Sequence, residues 1–70
     1  MEFTMNVRIA EVVCQSTLKK FSKAITYKSS MNFLNQAIIF GLDMGLDDFF
    51  INVYECDDLD TRINQYEYNS

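Results

Sequence analysis

Apolar and polar residues alternate at the start of the chain, which predicts a strand. In residues 3–9 the odd positions are apolar and the even positions are polar, the period of a half-buried strand. Because nothing marks a turn after residue 9, we expect the strand to continue to Cys14. A turn around residues 15–17 and a returning strand that ends near Lys28 complete this prediction.

A helix is the alternative for part of the same stretch. Apolar residues between positions 10 and 25 also recur at helical spacing, and a second helix near residues 11–24 would make the element order β-α-α-β-β. The β-branched pair Val12 and Val13 favours a strand. We therefore predict two strands here and keep the helix as the competing hypothesis.

The longest apolar run, residues 30–46, predicts one helix over residues 31–44. Ser30 suits the N-cap, because its hydroxyl can accept from a free backbone N–H of the first turn. Gly45 suits the left-handed position that ends many helices. The run is shorter than the ~20 apolar residues of a membrane span, so we expect no membrane partner.

The polar residues of this central helix form one narrow stripe, and Ile39 lies in the middle of it. A helix this apolar is normally buried on most sides. Either a second helix shields the surface near Ile39, or that surface belongs to a partner. Gly41 costs the helix roughly 1 kcal/mol relative to alanine, which indicates close packing against another backbone.

Two further strands follow the helix. Residues 49–56 alternate strongly, residues 57–60 form an acidic turn, and residues 62–68 form a weaker, more polar strand at an edge. The predicted fold is α+β: a small antiparallel sheet in the order β-β-α-β-β, packed on one central helix. It forms a single domain over residues 1–70.

The composition indicates that some apolar surface stays exposed in a monomer. Hydrophobic residues make up 49% of the 70, and ten residues are aromatic, which is more apolar surface than a small monomer easily hides. Many residue types with AT-rich codons suggest an AT-rich genome, such as that of a phage. The composition therefore favours an oligomer or a protein with a partner.

Charge is divided between the two parts of the chain. Residues 1–40 hold five basic and two acidic residues, a net +3, whereas residues 41–70 hold one basic and eight acidic residues, a net −7. An asymmetry of this kind bears on partners and on steering, not on fold.

The cysteines and the N-terminus indicate a cytoplasmic protein. Cys14 and Cys56 are the only cysteines, too few for a disulfide framework or a zinc site. We expect both to be buried free thiols in a reducing compartment. The N-terminus lacks the basic and apolar regions of a signal peptide.

Catalytic chemistry has little support in this sequence. Histidine is absent, so the commonest general base is missing and neither cysteine has a histidine partner. No glycine-rich phosphate loop occurs, and the acidic stretch at residues 55–60 lacks the glycine of a calcium loop. We expect no catalytic, cofactor-binding or metal-binding residue.

The leading hypothesis is a non-catalytic protein-binding module, such as a phage-encoded inhibitor or modulator of a host protein, that acts through an acidic and aromatic surface. We expect Tyr54, Tyr66 and Tyr68 to gather with Phe50 on the open face of the last hairpin, or else to form cross-strand pairs. The candidate partner-binding residues are Asp57, Asp58, Asp60, Glu55, Tyr54, Tyr66, Tyr68 and Ile39.

Two alternatives use other features. A nucleic-acid-binding protein would use Lys19, Lys20, Lys23 and Lys28, with Phe21 and Tyr27 available to stack on bases. A solvated edge strand explains the same lysines more simply, because they discourage pairing between sheet edges. The other alternative is a structural homodimer joined by the helix or by a sheet edge.

Overall fold

Four strands and one helix form in the order β-β-α-β-β, as predicted. The computed structural model describes residues 6–70, so the first residues of the predicted N-terminal strand lie outside the described part. The strands are β1 (Asn6–Cys14), β2 (Lys20–Tyr27), β3 (Phe49–Glu55) and β4 (Asp58–Tyr68), and the helix is α1 (Ser30–Asp43). The sheet order is β2-β1-β3-β4, and every neighbouring pair is antiparallel.

The stretch before the central helix is strand, turn and strand, so the alternative of a helix near residues 11–24 is wrong. β1 pairs with β2 on one side and with β3 on the other, which places β-branched Val12 and Val13 in a central strand. Their burial in the sheet outweighs the helical spacing that the segment also contains.

One face of the sheet is covered by α1, and the core lies between them. Alternate residues of the three strands under the helix are at most 3% exposed: Ala10, Val12, Ile25, Ile51 and Val53. The helix buries Phe33, Ala37 and Gly41 against them, a spacing of four residues that keeps all three on one face. The other face of the sheet, opposite α1, is called the open face below.

The helix begins one residue earlier than predicted. Ser29, not Ser30, has the extended backbone of an N-cap, and its Oγ accepts from the Asn32 backbone N–H at 3.1 Å. At the other end Gly45 has φ +83, which confirms it as the left-handed residue after the helix. Two adjacent serines offered the same cap chemistry, and Ser29 is the one that provides it.

Gly41 is closely packed, but against a side chain and not against another backbone. A Cβ built on Gly41 would lie 2.6 and 2.8 Å from Cε2 and Cε1 of Phe49, well inside normal contact. The glycine lets the helix approach the Phe49 ring, which is fully buried.

The β3–β4 hairpin differs most from the prediction. β4 begins at Asp58, so most of the predicted acidic turn at residues 57–60 is strand and only Cys56 and Asp57 link the two strands. The register shifts next to Tyr54, where β4 carries extra residues. Two of these extra residues, Asp60 and Thr61, donate their backbone N–H groups to Asp58 Oδ1, both at 3.2 Å. Side-chain bonding to the local backbone occurs as expected, in a bulge instead of a turn.

Candidate protein-interaction site

The two edge strands of the sheet carry opposite charge. The basic edge, residues 19–28 in and around β2, holds four lysines and no acidic residue. The acidic edge, residues 57–67 in and around β4, holds four acidic residues and one arginine. Two strands separate these edges. The charge division in the sequence thus becomes a division across the width of the sheet.

The four acidic residues predicted to bind a partner are brought together at the β3–β4 hairpin. The acidic hairpin consists of the last residue of β3, one turn residue and two residues at the start of β4: Glu55, Asp57, Asp58 and Asp60. Arg8 pairs with Glu55 at 3.1 Å across the sheet, and both side chains are more than a third exposed. That exposed pair contributes little stability. The three aspartates are all exposed and form no salt bridge with another described residue.

The tyrosines do not gather on one face, so that expectation is wrong. Tyr54 pairs with Arg62 on the open face, whereas Tyr66 pairs with buried Ile51 on the face that α1 covers. The register shift beside Tyr54 is the cause. Without it, the alternation in β4 would put Tyr66 on the face of Tyr54, and a shift of one residue moves every later side chain to the other face.

Cross-strand pairing, the other hypothesis for these tyrosines, applies to Tyr68. Its ring stacks on Phe49, with centroids 5.0 Å apart, in the register that pairs the two residues. Tyr66 also packs against the core, and its hydroxyl accepts from Asn64 Nδ2 at 2.9 Å. Both side chains stabilise the hairpin and are only partly available to a partner.

A hydrogen-bonded ladder crosses the open face, and the sequence reasoning missed it. Asn52 donates to Glu11 Oε1 at 3.1 Å and accepts from Gln65 Nε2 at 2.8 Å. These residues are direct neighbours on β1, β3 and β4. Asn52 is only 8% exposed, so its amide needs both partners. The signal was a polar residue in the middle of an apolar strand.

Ile39 lies on the outer face of α1 and is 56% exposed. The second helix that could have shielded it does not form, because that segment is β2. Met31 and Leu42 share its exposed surface, at 66% and 43%. This apolar helix face is separate from the acidic hairpin, so the predicted partner-binding residues do not form one continuous site.

The lysines lie at the basic edge, but one of the two aromatic residues expected to stack on bases is not available. Tyr27 is 8% exposed and packs edge-to-face against Phe33, with centroids 5.1 Å apart. Lys23 Nζ lies 5.6 Å from the Phe40 ring centroid, a cation–π contact within the protein. The nucleic-acid hypothesis therefore retains charge at this edge but loses Tyr27 as a stacking group.

The two cysteines lie in different environments, and the expectation that both are buried is wrong for Cys56. Cys14 is buried beside the loop at residues 45–48, whereas Cys56 is exposed in the β3–β4 turn. Hydrogen bonds from the hydroxyls of Ser16 and Thr17, and then from their backbone groups, lower the pKa of the Cys14 thiol from 9.0 to about 6. The Cys14–Ser16 distance is 3.3 Å. The sequence signal was a cysteine followed closely by two hydroxyl residues in a turn.

Residues 6–70, the part that the structure describes, contain neither a metal-binding cluster nor a membrane-spanning helix. No group of three or more His, Cys, Asp or Glu residues in this part of the chain is placed to hold a metal ion. In the same residues, no helix has the length and apolarity needed to cross a membrane.

Comparison with known proteins finds no matching family model, no similar curated protein and no similar solved structure.

Proposed function

We propose that this chain is a non-catalytic module that binds another protein along its acidic edge. The observation that carries the proposal is that β4, an eleven-residue strand, lies at the border of the sheet with the acidic hairpin at one end. An edge strand has a row of backbone N–H and C=O groups that no neighbouring strand satisfies. In β4, Asp58 Oδ1 already accepts from the N–H groups of Asp60 and Thr61, and Asn64 Oδ1 accepts from that of Gln65. The remaining groups can pair with an extended segment of a partner.

The proposed mode of binding is addition of a strand. Backbone hydrogen bonds to β4 supply affinity, and side chains at alternate positions supply specificity. Asp57, Asp58 and Asp60 are exposed, so they favour a partner segment that carries Lys or Arg. Complementary charge of this kind raises the rate of association and selects the partner more than it adds to affinity.

If the chain is phage-encoded, the partner is a host protein and the module acts as an inhibitor or modulator. A basic, extended segment of that host protein would be sequestered against β4. The proposal needs no chemistry from this chain, in keeping with a sequence that contains no histidine. The site of action is the cytoplasm, where such a host protein and the two free thiols are both expected.

The test is capture of a partner from host lysate, with identification by mass spectrometry. The variant Asp57→Lys with Asp60→Lys reverses the charge of the acidic hairpin and keeps Asp58, whose carboxylate caps the bulge. We expect capture to fall at least tenfold, with no change in melting temperature.

The matched control is Asp43→Lys with Asp47→Lys. It makes the same change in net charge at two other exposed positions, near the end of α1, and should leave capture intact. Unchanged capture by the hairpin variant, or equal loss in the control, would contradict the proposal.

A further inference from the structure

The basic edge and the acidic edge are complementary to each other, and both end the sheet. Segment 19–28 is purely basic, and segment 57–67 has three more acidic than basic residues. Like charges placed directly opposite each other destabilise a strand pair, and opposite charges stabilise it. A contact between two acidic edges or between two basic edges is therefore disfavoured, whereas a contact between unlike edges is favoured.

We infer that copies of this chain associate head to tail, with β4 of one copy pairing with β2 of the next. The inference rests on the proposed function in one respect: it takes β4 as a strand that accepts a basic, extended segment. It names that segment as the β2 edge of a second copy.

Strand direction allows this pairing, although Gln36 Nε2 already donates to one carbonyl of β2, that of Thr26, at 2.9 Å. Because every neighbouring pair is antiparallel, β1 and β4 run one way and β2 and β3 run the other. When a second copy is placed beside the first in the same orientation, its β2 meets β4 in the antiparallel sense. The helices of both copies then cover the same face. β2 has eight residues and β4 has eleven, of which residues 64–68 pair with β3 in unbroken register.

The charges also match at each end of the contact. Tyr27 pairs with Asn6 at the end of the sheet where Asp58 pairs with Glu55, so Lys28 of one copy would lie near the acidic hairpin of its neighbour. Lys20 lies at the opposite end, as does Glu67. Each end of β2 thus carries a lysine that meets an acidic residue.

The assembly would be open-ended. A contact between two different surfaces makes a ring if the rotation closes and a filament if it does not. Neighbouring strands are about 4.8 Å apart, so four strands would add roughly 19 Å per copy. The sheet would twist continuously, because each strand is rotated against the last. This arrangement differs from a symmetric dimer, in which like edges would meet.

Light scattering across a range of protein concentrations at low salt is the test. We expect the mass to rise past that of a dimer with concentration, and to return to that of one chain near 1 M salt, where screening acts within about 3 Å. A single-chain mass at every concentration and salt level would overturn the inference. Partner capture by the acidic hairpin could still succeed in that case, so the two proposals fail separately.

Two variants identify the contact, because each keeps one native edge. Lys20→Glu with Lys28→Glu alters the basic edge, and Asp57→Lys with Asp60→Lys alters the acidic edge. We expect each variant alone to remain a single chain with an unchanged circular dichroism spectrum. An equimolar mixture keeps one native contact, between β4 of the basic-edge variant and β2 of the acidic-edge variant, and should associate at least to a dimer. Self-association of either variant to the level of the native chain would assign the contact to another surface and overturn the inference.

Discussion

Leu18 shows how one residue can hold strain in an otherwise regular structure. It lies in the β1–β2 turn with φ 61, the left-handed region, and its side chain is 67% exposed. A branched residue pays about 1 kcal/mol for this conformation, whereas asparagine adopts it readily. We predict that Leu18→Asn raises the free energy of unfolding by about 1 kcal/mol, measured by urea denaturation.

Leu59→Asn is the matched control for Leu18. Leu59 is 62% exposed but does not have a positive φ, so asparagine relieves no backbone strain there. We expect Leu59→Asn not to raise the free energy of unfolding. An equal gain from both variants would assign the effect to loss of an exposed apolar side chain and not to relief of strain.

The lowered pKa of Cys14 predicts a pH-dependent stability. Its pKa of about 6 in the fold lies below the 9.0 of the free thiol, so folding favours the thiolate. This contribution is complete above pH 9 and is lost as the pH falls through 6. We predict that the free energy of unfolding of the native chain, relative to that of Cys14→Ser, rises between pH 6 and pH 9.

Ser16→Ala tests the cause of that shift, because the Ser16 hydroxyl contributes most to it. In a Cys56→Ser background, ultraviolet absorbance of the thiolate measures the ionisation of Cys14 directly. We expect its midpoint to move upward in Ser16→Ala. An unmoved midpoint would mean that the hydroxyl does not stabilise the thiolate.

At the scale of the elements, α1 has a buried face and an exposed apolar face. Ile39 is 56% exposed and Ala37 is fully buried, although only two positions separate them. We predict that Ile39→Asp changes the free energy of unfolding by less than about 0.5 kcal/mol. Ala37→Asp should cost at least about 3 kcal/mol, because it buries an unpaired charge.

The Ile39 variant also reports on the binding surface. If the Ile39→Asp variant is stable but captures less partner, the outer face of α1 takes part in binding together with the acidic edge. Capture at the native level would confine binding to the sheet. A large loss of stability would show that Ile39 belongs to the core and would contradict the exposure found here.

At the scale of the whole molecule, one edge of the sheet is positively charged and the other is negatively charged. The acidic part of the chain forms β3 and β4 and the basic part forms β1 and β2, and the order β2-β1-β3-β4 separates the most charged segments by the full width of the sheet. A sheet with adjacent β2 and β4 would have neutralised these charges internally. The salt-dependent self-association that we infer would therefore depend on topology, and composition alone would not produce it.

The sequence by itself determined the element types and their order, except that a helix competed with the strands near residues 11–24. Alternation in β1 and β3, the apolar run of α1 and the glycine after it depend on local periods and local backbone preferences, which a linear pattern records. The acidic character of the β3–β4 hairpin and the edge position of β4 were equally readable. The competing helix near residues 11–24 matched one local period but lost to pairing with two neighbouring strands.

Tertiary structure alone decided which side chains meet. The register shift in β4 decides which face Tyr66 lies on. The position of the Phe49 ring leaves no room for a Cβ at Gly41. The Asn52 hydrogen bonds form because three strands are in register. Each is set by contacts between residues far apart in the chain. Sequence periods fix which positions share a face within one element, but packing and strand pairing fix what each face touches.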